Sequence, residues 1–233
     1  MKRVDLTYLD LIDRILSQGF KKPVFGQDNL FRYSLIGQSM HMSLKLEFPL
    51  LTTKRVNWKW AIAEMLWFIQ GTGDIRYLIE KNITIWDSWA EKYYGKANWK
   101  ELVMTGFEDP CLPLHYTSIT NWKESGVSVD QSQWVIDYLP KAPERNSYVV
   151  SLWSPSTVYN MADTTGLEPV LLPACHFSHQ LLAQDNKLSM VVNIRSNDMP
   201  LGNPFNVAQY AALTHMYAMC MNNASGTNFE PDR

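Results

Sequence analysis

The chain is poor in cysteine and in charged residues. It has three cysteines among 233 residues, Cys111, Cys175 and Cys220. An odd and widely spaced set fits neither a disulfide framework nor a paired zinc site, so we expect reduced thiols. Charged residues make up 19% of the sequence and the formal net charge is -2. This balance argues against a general affinity for nucleic-acid backbones, which needs a clustered excess of Lys and Arg. A small anionic ligand needs only a few placed cations.

Long apolar runs are also missing. No window approaches the roughly 20 predominantly apolar residues of a membrane span. Asp5, Asp10 and Asp13 interrupt the N-terminal segment, which therefore differs from a signal peptide and is predicted to form an amphipathic helix. We expect a cytoplasmic protein. The sequence is 46% hydrophobic and shows no repeat or linker. We therefore predict that residues 1–233 form a single domain.

Residues 57–71, NWKWAIAEMLWFIQG, are apolar almost all round and end in a glycine suited to a helix C-cap. They predict a buried helix with one acidic residue, Glu64. At helical spacing its neighbours are Trp60, Ala61, Trp67 and Phe68, so burial should raise the pKa of the carboxyl group. The other interpretation is that Glu64 reaches solvent at the rim of the helix.

Breaker residues and periodicity outline the rest of the chain. The irregular segment 105–130 is predicted to be a surface excursion, and 130–146 a helix ended by Pro140. Further predictions are a strand in 147–153, a hairpin of strands 176–183 and 187–194 turning at Asp185 and Asn186, and a second buried helix over 204–221, starting at Pro204. The fold class is therefore α+β or mixed α/β, with a sheet packed against a long buried helix.

Cys175 lies in LLPACHF, between a proline-containing turn and a strand. A thiol is a good nucleophile near neutral pH when nearby positive charge or hydrogen-bond donors favour the thiolate. An inert buried cysteine is the alternative for this residue alone. Because adjacent strand residues point to opposite faces, His176 need not act as the base for Cys175.

A second group of polar residues follows within a dozen positions: Arg195, Ser196, Asp198, Gly202 and Asn206. Arg195 can bind a phosphate with two hydrogen bonds, and the Asn206 amide has the donor and acceptor needed to read a base edge. The group predicts a nucleotide pocket. Alternatively, Arg195 and Asp198 form a surface ion pair and Asn206 caps the following helix.

The two groups together resemble the thymidylate synthase family. PACHF followed by RSNDMPLGNPFNVAQY has the form and separation of that family's nucleophile motif and nucleotide loop. FPLLTTKR, AEMLWFIQG and NITIWDSWA resemble earlier segments of the family in the same order. The similarity extends over roughly residues 30–220, and it implies a thymidylate synthase-like fold.

The resemblance also implies roles for individual residues. Cys175 would add to C6 of the pyrimidine, Glu64 would relay protons around the base, and Asn206 would hydrogen-bond N3 and O4. The implied catalytic residues are Cys175, Glu64, Tyr116, His176, Asn206 and Asp198. The implied nucleotide contacts are Arg195, Ser196, Asn206, His176 and Arg145. The implied folate contacts are Ile85, Trp86, Trp89, Leu172, Asp198, Leu201, Gly202 and Phe205, although core packing is the alternative for the two tryptophans.

Four features depart from the family pattern. ERNSYVV has only Arg145 near the place of two adjacent arginines, and PVFGQDNLFRYS lacks the first-loop arginine, for which Lys21, Lys22 or Arg32 could substitute. The segment 156–169 is an insertion. The sequence stops at NFEPDR, before the His-x-Tyr segment and the closing tail. Either the given sequence lacks the family's C-terminal part, or the sugar and the folate are held differently.

The expected function is transfer of a one-carbon unit from 5,10-methylenetetrahydrofolate to C5 of dUMP, giving dTMP. The alternatives are a hydroxymethylase that gives 5-hydroxymethyl-dUMP or -dCMP, and an inactive nucleotide- or RNA-binding homologue. The resemblance further implies a homodimer with shared active sites. No metal, membrane or nucleic-acid partner is expected.

Overall fold

A computed structural model describes residues 2–24, 27–124, 126–158 and 169–233. Within these ranges the helices are Arg3–Gln18 (α1), Trp58–Gln70 (α2), Arg76–Glu80 (α3), Asp87–Tyr94 (α4), Trp99–Met104 (α5), Ser118–Asn121 (α6), Gln131–Tyr138 (α7) and Gly202–Ser225 (α8). The strands are Phe20–Val24 (β1), Gln27–Ser34 (β2), Trp122–Glu124 (β3), Val127–Val129 (β4), Val149–Ser151 (β5), His176–Gln184 (β6), Lys187–Ile194 (β7) and Glu230–Pro231 (β8). The mixture confirms the α+β class.

The main sheet has the strand order β5-β6-β7-β8. β5, β6 and β7 are antiparallel neighbours, and the short β8 runs parallel to β7. The β6–β7 hairpin turns at Asp185 and Asn186, whose φ angles are 52° and 60°. Two consecutive residues with positive φ are the requirement of a type I′ turn, which confirms the predicted hairpin and its turn.

Helices α2 and α8 pack on each other, and α8 also packs on β7. Together they contribute Met65, Trp67, Phe68, Leu213 and Met221 to the main core, in which the sheet residues Leu181 and Leu188 are fully buried. The predicted buried helix 57–71 and the long helix on the sheet are thus confirmed. α8 begins at Gly202, two residues before the predicted start, so that Pro204 lies in its first turn.

Helix α2 begins after Asn57, whose side-chain oxygen accepts a hydrogen bond from Trp60 N, and ends at Gly71. Gly71 has φ +67°, and a Cβ there would lie 2.5 Å from Thr120 Oγ1. Only glycine combines this backbone conformation with this close approach. The cap fixes where the chain leaves α2 and turns toward the segment that carries Tyr116.

The N-terminal helix α1 is amphipathic, as predicted. Its residues Val4, Tyr8 and Leu11 form a second apolar cluster with Leu51, Val56 and Met199, and the Tyr8 hydroxyl donates to the carbonyl of Met199 at 3.0 Å. This cluster holds α1 against the loop that precedes α8. Among the described residues, no helix is both long enough and apolar enough to cross a membrane.

One prediction was wrong. The segment 105–130 is not a surface excursion, because Leu112, Leu114, Tyr116 and Ile119 are buried in the main core. Its turn-forming residues mark changes of direction rather than exposure, and its spaced apolar residues have no period that would indicate a buried path. The segment passes beneath the loop of Cys175: Leu114 forms a parallel bridge with Leu172.

Candidate active site

Cys175 and Arg195 lie side by side at one end of the β6–β7 hairpin. Cys175 is the residue before β6 and Arg195 the residue after β7. The backbone N–H of Arg195 donates to the carbonyl of Cys175 at 2.8 Å. The Cys175 side chain is half-buried, so a ligand can reach the thiol.

The guanidinium group of Arg195 lies on the loop that carries Cys175. Its Nε donates to the carbonyl of Ala174 at 2.9 Å and its Nη2 to that of Pro173 at 2.7 Å. The group also lies over the Trp153 ring, 5.7 Å from the centroid. The positive charge of Arg195 is thereby fixed against the backbone of the loop that carries Cys175. Arg195 contacts this loop and forms no ion pair with Asp198 in the described structure, which removes the surface-pair alternative.

Glu64 is buried in the middle of α2, with 7% of its surface exposed. Trp86 Nε1 donates to its Oε1 at 2.7 Å, and Gln209 Nε2 donates to its Oε2 at 2.7 Å. Burial raises the pKa of Glu64 to about 7, and the two hydrogen bonds act in the opposite direction. The interpretation that Glu64 reaches solvent is wrong, and the predicted rise in pKa is confirmed.

Tyr116 connects the thiol side of the site with the acid side. Its hydroxyl oxygen accepts a hydrogen bond from the backbone N–H of Cys175 at 2.8 Å. Its ring stacks on His176 at 4.4 Å between centroids and meets Trp86 edge-on at 6.0 Å. Burial raises the pKa of Tyr116, so the phenol is neutral at physiological pH and can still donate its proton in a hydrogen bond.

His176 points away from solvent, as expected for the strand neighbour of a half-exposed Cys175. It is 5% exposed, and its Nδ1 lies 2.6 Å from the Tyr210 hydroxyl. Burial lowers the pKa of His176 to about 3. The imidazole is therefore neutral near pH 7, and it acts as a hydrogen-bonding group rather than as a charge.

The second polar group is divided between the loop after β7, which holds Arg195, Ser196 and Asp198, and the beginning of α8, which holds Gly202 and Asn206. Asp198 Oδ1 accepts a hydrogen bond from Leu201 N at 2.9 Å, which ties the preceding loop to the helix start. Asn206 lies inside the helix and not at its cap, so the capping alternative for it is wrong. The Asn206 amide approaches Gly202, 3.8 Å from a Cβ built there, and forms no hydrogen bond with another described residue. It is free to bind a ligand.

The predicted folate residues fall into two sets. Trp86 belongs to the main core, and Ile85, Trp89 and Leu172 pack against that core while remaining partly exposed. Leu201 is 72% exposed at the start of α8, next to Gly202, and Phe205 packs on the second cluster. Core packing is thus what the two tryptophans do in this structure, and their contact with folate stays a prediction.

Several predicted residues are not drawn into this network. Ser196 and Arg145 are exposed, Arg145 in the connection before β5. Lys21 and Arg32 lie on the β1–β2 hairpin, where the Lys21 ammonium group lies over the Phe31 ring. Of the insertion 156–169, residues 159–168 lie outside the described residues. No group of three or more potential metal-ligating side chains occurs in the ranges that the structure describes.

Sequence reasoning missed two contacts of this site. Gln209 binds Glu64 and Tyr210 binds His176, and both partners lie on α8. A signal was present, since Gln209 is a polar residue three positions after Asn206 on an otherwise apolar helix, which places both on one face. Pattern alone does not say which residue of α2 this face meets.

The raised pKa of Glu64 makes a prediction about stability. The folded pKa, about 7, exceeds the ordinary value of 4.5, so the folded form binds the proton more tightly. Its stabilising contribution is fully present below pH 4.5 and is lost as the pH rises through about 7. We expect the free energy of unfolding of the wild type, relative to Glu64→Gln, to fall by about 2–3 kcal/mol between pH 5 and pH 8. Urea unfolding of both proteins at the two pH values measures this difference, and parallel curves would contradict it.

These features define the class of protein first: an α+β enzyme whose site joins a half-buried thiol to a buried carboxylic acid. Residues 6–229 match the family model described as thymidylate synthase. The thymidylate synthase of Corynebacterium aurimucosum is 36% identical over 217 residues, which are 92% of this chain and 71% of that protein. The chain belongs to the thymidylate synthase family. It is accordingly a one-carbon transferase of a family that methylates dUMP with methylenetetrahydrofolate as co-substrate.

Proposed function

We propose that this chain transfers the one-carbon unit of 5,10-methylenetetrahydrofolate to C5 of dUMP, with Cys175 as the covalent nucleophile, and gives dTMP. The observation that carries the proposal is the series of contacts Cys175–Tyr116–Trp86–Glu64: a hydrogen bond from the Cys175 backbone, a ring contact and a hydrogen bond to the carboxyl group link the residue of the nucleophile to the acid. A thiol that is merely structural does not need a buried acid of raised pKa at the other end of such a path.

The first step is addition of the Cys175 thiolate to C6 of the uracil ring. The S–C6 bond forms, the C5–C6 double bond opens, and its electron pair moves toward O4, which makes C5 nucleophilic. The carbonyls of Pro173 and Ala174 hold the Arg195 guanidinium against the loop that carries this nucleophile. C5 then bonds to the one-carbon unit, and loss of the C5 proton with departure of the folate nitrogen gives an exocyclic methylene. Addition of hydride to this methylene expels the Cys175 sulfur and restores the C5–C6 double bond.

Proton transfers around the base are assigned to Glu64, Tyr116 and His176. With a pKa of about 7, Glu64 can both accept and donate a proton near neutral pH. Neutral His176 and the Tyr116 phenol supply hydrogen bonds without adding charge. Asn206, whose amide has no protein partner among the described residues, is assigned to N3 and O4 of the base.

The nucleotide phosphate is assigned to Arg195 and Ser196, which follow β7. Arg195 is already held by two carbonyls, so its remaining N–H groups are the ones available to an oxyanion. Arg145 is exposed in the connection before β5, and we assign it to the phosphate of a neighbouring subunit. Arg145→Ala should then weaken nucleotide binding only in the assembled protein.

The folate is assigned to the two sets of apolar residues described above. Trp89 and Leu172 offer partly exposed apolar surface beside the main core, and Leu201 and Gly202 offer an open edge at the start of α8. A flat indole and an unobstructed glycine suit a pterin ring. When bound, the folate supplies the one-carbon unit and, for methylation, the hydride; Asp198 is the one acidic residue of this edge.

A homodimer is part of the proposal. Val149 and Val191 are 43% and 46% exposed, and both are paired with Gln180 across the sheet, so the two valines lie on one face of the sheet on either side of Gln180. We expect light scattering to give the mass of a dimer, and Val191→Lys to shift it toward the monomer because a charge would be buried at the contact. A monomeric wild type at micromolar concentration would contradict this prediction.

The test of the proposed function is incubation with 5-fluoro-dUMP and methylenetetrahydrofolate, followed by intact mass measurement. A covalent ternary adduct on Cys175 is expected, because fluorine at C5 cannot leave as a proton does. No adduct under conditions in which the nucleotide binds would overturn the proposal. The mass of the product made from dUMP then separates a methyl from a hydroxymethyl group, since water and hydride compete for the same exocyclic methylene.

Base selection gives a further prediction. The Asn206 amide can accept from N3–H and donate to O4 of uracil, whereas cytosine reverses both groups. We expect Asn206→Asp to shift the preference toward dCMP by about 1–3 kcal/mol, the cost of one misplaced buried polar pair. The measurement is kcat/KM for dUMP and dCMP in both proteins. A wild type that prefers dCMP would remove Asn206 as the uracil reader.

A further inference from the structure

Gln209 is fully buried between α8 and α2. Its Nε2 donates to Glu64 Oε2 at 2.7 Å and to the carbonyl of Ala61 at 3.1 Å. Its Oε1 has no hydrogen-bond partner among the described residues. A buried amide that leaves its acceptor unpaired is uncommon, and it calls for a reason.

The carbonyl of Ala61 supplies the reason. If the amide were reversed, Oε1 would face both Glu64 Oε2 and the Ala61 carbonyl oxygen, which is itself only an acceptor. The Ala61 carbonyl therefore dictates that the NH₂ group faces the acid. Because Ala61 and Glu64 are on the same helix, the orientation of the Gln209 amide is fixed by the rigid helix backbone and not by a mobile side chain.

The second donor to Glu64 comes from another direction. Trp86 Nε1 donates to Oε1, while Gln209 donates to Oε2. With one donor on each oxygen, the carboxyl group is held in one plane and both bonds favour its ionised form. Burial favours the neutral form. The two donors therefore determine how far the pKa of Glu64 rises above its ordinary value.

Two phenols and one imidazole near Glu64 are neutral around pH 7. Tyr116 faces it from the turn at residues 115–117, and Tyr210 follows Gln209 on α8; burial raises the pKa of both phenols. His176, stacked on Tyr116, has a pKa lowered to about 3 by burial. A change in the titration of Glu64 can thus be attributed to its two donors.

We propose that Gln209 is a positioning residue for Glu64: its amide, oriented by the carbonyl of Ala61, fixes the plane of the carboxyl group and keeps its ionised form accessible. The proposal rests on the role given to Glu64 in the proposed function. It adds a residue that need not touch either substrate, and whose effect is exerted through the acid.

The experiment titrates the carboxyl group directly. The infrared C=O band of protonated Glu64 is assigned by subtracting the spectrum of Glu64→Gln, and it is followed with pH in the wild type and in Gln209→Met. Methionine has a similar length and no donor. We expect the midpoint to move upward by about one pH unit, since a hydrogen bond to a charged group is lost. The pH profile of kcat should move in the same direction, with little change in KM for dUMP.

Thr214→Val is the matched control. Thr214 is 1% exposed on the same helix and donates to the carbonyl of Tyr210, so the change removes a buried hydroxyl without touching Glu64. Its Glu64 midpoint should equal that of the wild type. If Gln209→Met does not fold, Gln209→Asn, which keeps an amide one methylene shorter, is titrated in its place and should show an upward shift as well.

An unchanged midpoint in the folded Gln209 variant would overturn the proposal. The infrared titration requires no turnover, so it separates this failure from failure of the proposed function. If 5-fluoro-dUMP forms no adduct with any of the proteins but the midpoint moves, the covalent mechanism is wrong and the coupling of Gln209 to Glu64 stands. If the adduct forms and the midpoint is unchanged, the covalent mechanism stands and the coupling of Gln209 to Glu64 is wrong.

Discussion

In the Cys175→Ser variant we expect turnover of dUMP to fall by at least ~1000-fold, because a serine hydroxyl is far harder to ionise than a thiol. The fold should be retained: the side chain is half-buried and nearly isosteric, and the contacts that hold its loop use the backbone of Cys175 and the side chain of Arg195. Steady-state kinetics and circular dichroism measure the two effects.

Cys220→Ser is the control for this change. Cys220 is also half-buried, but it lies near the end of α8, away from the hairpin end that carries Cys175. The same chemical substitution there should leave kcat within about a factor of two, as for most substitutions away from special features. A Cys175→Ser protein with substantial activity would end the covalent mechanism.

The second large effect is expected for Glu64→Gln. An amide keeps the size of the side chain and removes the ionisable group that accepts hydrogen bonds from Trp86 and Gln209. Loss of a general acid or base lowers kcat by about 10²–10⁴-fold, whereas KM for dUMP should change little because nucleotide contacts are assigned elsewhere. Steady-state kinetics over a range of pH should also show a profile without the inflection near the Glu64 pKa.

Glu80→Gln provides the matched comparison, since Glu80 is exposed at the end of α3. It should retain wild-type kinetics at each pH. If Glu64→Gln retained full activity, another group would have to carry the proton relay, and the proposed role of the buried acid would be lost.

Local patterns were sufficient for much of the fold. The apolar run that ends in Gly71 predicted α2, and the alternation after Asp185 and Asn186 predicted the hairpin, because each pattern reports a single element and its own cap or turn. The prediction that the segment carrying Tyr116 lies on the surface was wrong, because burial of this segment is not a property of a single element. Its burial depends on what the rest of the chain places above it, and no short window contains that information.

The candidate site divides in the same way. Burial of Glu64 followed from its neighbours on α2, and the grouping of Arg195 with Asn206 followed from their nearness in sequence. The hydrogen-bond donors to Glu64 could not be predicted from the sequence, because Trp86 and Gln209 lie 22 and 145 residues away from it along the chain. Resemblance to a family identified Trp86 as a site residue, but only the packing of α8 on α2 reveals Gln209.

The position of Cys175 and Arg195, side by side at the open end of one hairpin, has a consequence for the order in which the site forms during folding. The hairpin closes a loop of only about twenty residues, so the entropy needed to bring thiol and guanidinium together is small. The acid half needs α2 and α8, whose contact at Glu64 and Gln209 closes a loop of 145 residues. We therefore expect a folding chain to present its thiol beside a positive charge before the proton relay exists. In that interval Cys175 is a reactive thiol without its catalytic partner, and the speed with which α8 docks on α2 determines how long the unfinished enzyme is open to oxidation.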